Sequence, residues 1–273
     1  MKVENYKMIS LEHYTEGPAM DKEGNVYCTT LNGGNILKID RDEKYTIWGR
    51  SACPNGQIIL SNGDHLFCDS QQSSILRYNS QGSFLRNEIF QSCNGKKVFV
   101  PNDLIADRTD GIYFTDSIRK EGKVGYRSNT GKEYIVAMGL DYPNGLALSS
   151  DERVLFVAES YKNRIIAIKL ECPGIAAGEI EVIAELPRHS SGKAAFNLPD
   201  GIALDSNNQL WIAHYGMQAV QVINMDGELI NSIRMPFPLV SNVFFSTINY
   251  LEAIVTGGYD EPGPGAICRL TMK

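Results

Sequence analysis

The 273-residue chain reads as an all-β protein, a six-bladed β-propeller of four-stranded antiparallel blades closed by shared N- and C-terminal strands. Three observations predict it: a polar-headed apolar motif that recurs along the chain, the spacing of its copies, and the second apolar run that follows each copy. The clearest copy is Leu198-Pro199-Asp200-Gly201-Ile202-Ala203-Leu204, which breaks at a polar turn over 205–209 and resumes as Leu210-Trp211-Ile212-Ala213. Two apolar runs separated by turn formers are the signature of a β-hairpin.

Matching heads are Glu16-Gly17-Pro18, Pro54-Asn55-Gly56, Pro101-Asn102-Asp103, Pro143-Asn144-Gly145 and, more weakly, Ser241-Asn242-Val243. Their polar residues are 39, 47, 42, 56 and 42 positions apart, about 45 on average, which is the length of a four-stranded blade. The 31 residues after Asn242 and the 15 before Glu16 together make one further unit, so the two ends are expected to share a blade. The domain expectation is accordingly a single propeller over residues 1–273.

Taken in order, residues 1–15 supply a closing strand around Met8-Ile9-Ser10-Leu11. Blade one runs from Glu16 to about Trp48 and blade two over about 52–92, with Ser92-Cys93-Asn94-Gly95-Lys96-Lys97 as a connection. Blade three ends its second strand at Phe114-Thr115-Asp116-Ser117, followed by a charged loop, 118–123, at one mouth of the channel. Blade four opens at Tyr142-Pro143-Asn144 and carries the longest spacing, with its excess in two loops, 171–178 and 187–193. Blade six finishes through the Gly- and Pro-rich segment 257–265 and a last strand, Ala266-Ile267-Cys268-Arg269-Leu270.

Radial symmetry gives the heads a chemical meaning. If each opens the innermost strand of its blade, then Glu16, Asn55, Asn102, Asn144, Asp200 and Asn242 meet at one end of the central channel. Two carboxylates and four amides with no basic residue among them form an oxygen-rich site for a hard divalent cation. The competing reading is that Pro-Asn-Gly and Pro-Asp-Gly only make turns; it applies most to Asn55 and Asn242 and least to Glu16, since glutamate is a poor turn residue. His214 is expected to make a polar contact near the channel, and Asp116 and Glu159 to be either partners of the ring or solvated strand ends.

Bulk properties narrow the function. A net charge of −6 and a pI of about 5.3 give no basic footprint for nucleic acid. No apolar stretch approaches the ~20 residues that cross a bilayer, and the polar N-terminus lacks a signal-peptide core. The expectation is a soluble cytoplasmic protein, a monomer or weak homo-oligomer, with no nucleic-acid or membrane partner. Cys28, Cys53, Cys68, Cys93, Cys172 and Cys268 show no Cys-x-x-Cys spacing and are expected as reduced thiols. Gly-x-Ser-x-Gly, His-Glu-x-x-His and Walker-type motifs do not occur, and the Ser-x-x-Lys matches at Ser117 and Ser190 lack the helix that chemistry requires.

The heads at Glu16, Asn102, Asn144 and Asp200, in this order on blades one, three, four and five, resemble the SMP-30/gluconolactonase/LRE-like family, which includes regucalcin and bacterial sugar lactonases. The resemblance extends over nearly the whole chain, to Ser241-Asn242-Val243-Phe244-Phe245. It implies one catalytic divalent cation on the axis, calcium foremost with zinc, manganese or magnesium as alternatives. By position it implies Glu16, Asn144 and Asp200 as protein ligands, Asn102 and Asp103 as substrate-binding residues, and Asp200 as general base. The implied function is a metal-dependent lactonase that opens a sugar-type or related small lactone. Val100 stands where sugar-lactone members often carry arginine, and the loop 117–121 has no obvious match to their substrate-contacting residues. The hairpins from Asn102 to Ser117 and from Tyr142 to Ser160 also resemble strictosidine-synthase-like propellers. A calcium-binding propeller without catalysis, a strictosidine-synthase-like fold and a phosphotriesterase-type hydrolase are therefore the alternatives.

Overall fold

The computed structural model describes residues 3–249 and 251–273. Six antiparallel sheets are arranged as the blades of a β-propeller. The innermost strands are Glu16–Met20, Pro54–Ile59, Pro101–Ala106, Pro143–Leu148, Leu198–Leu204 and Leu239–Phe245. In blades one to five the next three strands follow by simple hairpins to the rim. Blade six is completed by Val3–Leu11, which pairs antiparallel with Gly265–Met272, so the two ends close the ring as the spacing predicts.

The hydrophobic alternation of the strands has a direct consequence for packing. Each blade is apolar on both faces, and the buried residues fall into six clusters, one at each blade–blade interface. Trp211, Val220 and Phe237 join blades five and six, for example, while Leu11, Met20, Val26 and Ile254 join blades six and one. The interface of blades one and two is the smallest of these, with Tyr27, Ile36, Phe67 and Leu76 at its centre. There His65, 2% exposed, stacks on Trp48 with ring centroids 4.2 Å apart.

Two local readings are revised. The segment 171–178, expected as a loop, extends the third strand of blade four to Cys172 and turns back as the short strand Ile175–Ala176. The turn holds because the Gly174 amide donates to the buried Tyr113 hydroxyl at 2.8 Å. More significantly, the polar heads are not turns. All six innermost strands slip register against their neighbours at the head, from Glu16/Ala19 in blade one to Val240/Asn242 in blade six. Such a bulge bends the strand and re-aims its side chains, and it places every head at the same end of the channel.

Glycine after the head is demanded by crowding at the axis. A Cβ on Gly201 would lie 2.0 Å from Asn242 Cγ, and one on Gly145 would lie 2.4 Å from the Asp200 carbonyl oxygen. Blade three alone has a carboxylate at that position, Asp103.

Candidate functional site

The bulged heads meet around a cavity of about 340 Å³ that opens at one face of the propeller. Glu16, Asn55, Asn102, Asn144 and Asp200 line it, all buried. Asn242 and Asp103 line a second cavity instead, the channel beyond the ring. The two meet at Asn242, whose Nδ2 donates to Glu16 Oε2 at 3.5 Å and to Asp103 Oδ2 at 3.4 Å.

Electrostatics sets this site apart from the rest of the molecule. Burial pushes the Glu16 carboxyl up to about 8, with the Asp103 charge adding to the shift and the Gly17 and Asn242 amides opposing it. Burial raises Asp103 to about 6. Asp200 is raised far above the usual carboxylate range, first by burial and then by the charges of Glu16, Asp103 and Glu261, with the Asn144 side chain partly offsetting them. No lysine, arginine or histidine lines the cavity. Buried carboxylates ordinarily pair with a cation or coordinate a metal. A hard divalent ion fits these donors, and the buried Asn55 Oδ1, which has no hydrogen-bond partner among the described residues, is a further free acceptor at the ring.

Hooks between blades hold three of the heads. The Ser241 hydroxyl donates to the Thr15 carbonyl at 2.7 Å, Ser117 to that of Pro143 at 2.5 Å, and Ser160 to that of Pro199 at 2.6 Å. Each carbonyl immediately precedes a residue of the expected ligand set: Glu16, Asn144 and Asp200. Blade two differs, since Thr29 donates to the carbonyl of Asn55 itself at 2.8 Å.

The acids at strand ends hold the chain that enters the ring. Asp116 is fully buried and accepts from the amides of Phe99 and Val100 and from Lys123 Nζ. Glu159 accepts from the Asp141 amide at 2.7 Å and from Arg164, and Asp69 accepts from the amides of Ala52 and Cys53. Asp116 and Glu159 are therefore partners that brace the ring from behind, not solvated strand ends. His214 is fully buried, with Nε2 2.9 Å from Asn163 Oδ1, and burial lowers its pKa to about 4.

Sequence reasoning passed over several wall residues. Tyr14, Tyr142, Tyr161 and Tyr215 line the mouth cavity, and Glu261 reaches it from the Gly- and Pro-rich segment of blade six. Tyr14 and Tyr215 meet edge-on at 6.3 Å, and Tyr142 and Tyr161 at 5.4 Å. The loop after Ser117 contributes indirectly: Arg119 pairs with Asp141 at 2.6 Å and stacks its guanidinium 3.6 Å over the Tyr161 ring. Val100 is not among the lining residues. Two of the three hooks did carry a signal, since Asp116-Ser117 and Glu159-Ser160 repeat an acid–serine pair at equivalent strand ends, whereas Ser241 follows Val240.

Comparison with known proteins agrees with this architecture. The chain is 29% identical over 232 residues to a protein named lactonase drp35 from Staphylococcus haemolyticus, covering 81% of this chain and 69% of that protein. Among solved structures, a gluconolactonase from Xanthomonas campestris superposes with a TM-score of 0.84 at 24% identity, over 99% of this chain and 91% of the other. Regucalcin from Agrobacterium tumefaciens, described as a calcium-binding protein, gives 0.77 at 14% identity, over 96% and 92%. The family model described as SMP-30/gluconolactonase/LRE-like region matches residues 14–258. With nearly all six blades inside that match, the chain belongs to the SMP-30/gluconolactonase/LRE-like family.

Proposed function

We propose that the protein is a divalent-cation-dependent lactonase acting on a small neutral lactone. The observation that carries this reading is the convergence of two buried carboxylates, Glu16 and Asp200, on one cavity that holds no cationic side chain. Relatives named lactonase and gluconolactonase give the reaction class. Glu16, Asn144 and Asp200 would hold the ion, with calcium the first choice because all three donors are hard oxygens. When bound, a divalent cation supplies Lewis acidity toward a lactone carbonyl and offsets the charge of the two carboxylates.

The remaining work falls to side chains of the chain itself. Asp200, held at its backbone by Ser160, takes the proton from the attacking water through a carboxylate oxygen. The Asn102 amide lines the same cavity and donates to an oxygen of the substrate ring. Asp103, on the channel side of the ring, acts on the site through its charge beside Glu16. Tyr14, Tyr142 and Tyr215 wall the cavity and exclude bulk water from the reacting carbonyl.

The same walls argue for selectivity. Rings of tyrosine with Leu31 and Leu198 suit an apolar or aromatic lactone, and no arginine or lysine is present to bind an anionic or hydroxyl-rich one. The test is turnover of a panel of aliphatic, aromatic and sugar lactones with calcium and with chelator. Calcium-dependent hydrolysis, lost in Glu16→Gln and Asp200→Asn, is expected; full activity after exhaustive chelation refutes the reading.

A further inference from the structure

The channel beyond the ring is larger than the mouth cavity, about 560 Å³, and the proposed reaction does not use it. Its walls come mostly from the later residues of all six innermost strands, and they are largely apolar: Leu104, Leu146, Ile202 and Val243 are representative. Two ionisable groups line it. Asp205 is fully committed at its hairpin turn, accepting from the amides of Asn207 and Gln209 and from Trp211 Nε1.

Asp103 is not so committed. It is 8% exposed, accepts from the Leu104 amide at 2.9 Å and weakly from Asn242 Nδ2 at 3.4 Å, and has no cationic partner among the described residues. Gln57, 4% exposed, lines the same channel from the neighbouring blade. Its Nε2 donates to the Gly17 carbonyl at 2.6 Å, while Oε1 has no partner among the described residues. The inner end of the channel thus carries two under-used acceptors, the Asp103 carboxylate and the buried Gln57 amide oxygen, at the end of a long apolar sleeve. Among the described residues, no lysine, arginine or histidine lines any part of it.

We infer that the channel is a second ligand site, selective for an amphiphilic organic cation whose ammonium head seats on Asp103 and whose hydrocarbon body fills the sleeve. The head supplies the donors that Asp103 and Gln57 lack. The body replaces water along apolar wall, which favours binding in proportion to the area covered. An anionic amphiphile of the same length meets the buried carboxylate head-on and is excluded. The Asn242 amide lies between Asp103 and Glu16, so each cavity takes its own ligand, and a cation on Asp103 lessens the charge felt by Glu16.

The experiment is isothermal titration of the calcium-saturated full chain with octylamine, 1-octanol and octanoate. One-to-one binding of the amine is expected, at least tenfold tighter than the alcohol, with no binding of octanoate. A series from butylamine to octylamine should gain about three- to fourfold in affinity per methylene. Leu148→Trp, which narrows the sleeve away from the ring, should weaken octylamine at least tenfold while leaving lactone turnover unchanged. Asp103→Asn should erase the preference for amine over alcohol. Equal affinity for amine and alcohol, or amine binding untouched by Leu148→Trp, overturns the assignment. So does amine binding that occurs only in chelated protein, which would place Asp103 among the ligands of the cation. These readouts require no lactone turnover apart from the Leu148→Trp control, so they stand or fall separately from the proposed hydrolysis.

Discussion

The hydroxyl of Ser160 on blade four donates to the carbonyl of Pro199 on blade five at 2.6 Å, one residue before Asp200. The carboxylate at the axis is therefore positioned by a neighbouring blade, and the same device sets Asn144 through Ser117 and Glu16 through Ser241. Removing one hook leaves a buried carbonyl unpaired, which costs about 1–3 kcal/mol. Ser160→Ala is expected to lower thermal stability by that amount and to weaken calcium binding, read by calorimetry. Ser80→Ala, an exposed serine in the outer hairpin turn of blade two whose hydroxyl accepts from the adjacent Gln81 side chain, should leave calcium affinity unchanged.

Charge repulsion at the ring predicts a pH dependence in the metal-free protein. The Glu16 carboxyl is raised to about 8 by burial first, so the folded chain holds a proton that the unfolded chain releases near the ordinary value of 4.5. Its contribution to stability is complete below about 4.5 and is lost as pH rises toward 8. Asp200 shifts in the same direction and adds to the loss. Denaturant melts of chelated protein should weaken from about pH 6.5 to pH 8, above the window in which the buried histidines act, and saturating calcium should abolish or reverse that slope.

Neutralising the same carboxylates should separate activity from stability. Glu16→Gln and Asp200→Asn keep the side-chain shape and remove the cost of holding a proton that the unfolded chain would release. The chelated variants are expected to melt several degrees higher than chelated wild type, while turnover of any lactone substrate falls at least a hundredfold. Loss of both stability and activity would mean that the carboxylates hold the fold.

Crowding at the axis yields a structural prediction. A Cβ at position 201 would meet Asn242 Cγ at 2.0 Å, and one at position 56 would meet Asp103 Oδ1 at 2.2 Å. At position 56 the Asp103 Cα and the Asn102 carbonyl oxygen lie within 2.8 Å, so relief there moves an innermost strand, whereas Asn242 turns aside from position 201 only by giving up its bonds to Glu16 and Asp103. Gly201→Ala and Gly56→Ala should each cost about 2 kcal/mol or more, in the range of overpacked cores, and lower calcium affinity. Denaturant unfolding with and without calcium checks both.

Acid sensitivity should trace to two buried imidazoles. Burial depresses His65 and His214 to about 4, so both stay neutral in the folded chain while the unfolded chain takes up protons near 6.5. Their contribution is present above 6.5 and is lost as pH falls toward 4. His214→Gln should lower the proton uptake on unfolding of the calcium-saturated chain between those limits by up to about one proton, measured from the pH slope of stability.

Much of this molecule was legible in one dimension because a propeller is a local repeat. Each blade is a run of short hairpins, so apolar alternation, turn residues such as those at 205–209, and the spacing of the heads were enough to number the blades and place the closing strand. The same regularity nominated Glu16, Asn55, Asn102, Asn144, Asp200 and Asn242 as an axial set. Tertiary structure alone decided that the heads are bulges, that Asn242 and Asp103 belong to the channel while the others line the mouth, and that Tyr14, Tyr215 and Glu261 complete the wall. Those outcomes depend on how far each innermost strand bends as it reaches the axis and on which atoms of adjacent blades then collide. Such distances arise only when six sheets are packed against one another, and no pattern within a single blade encodes them.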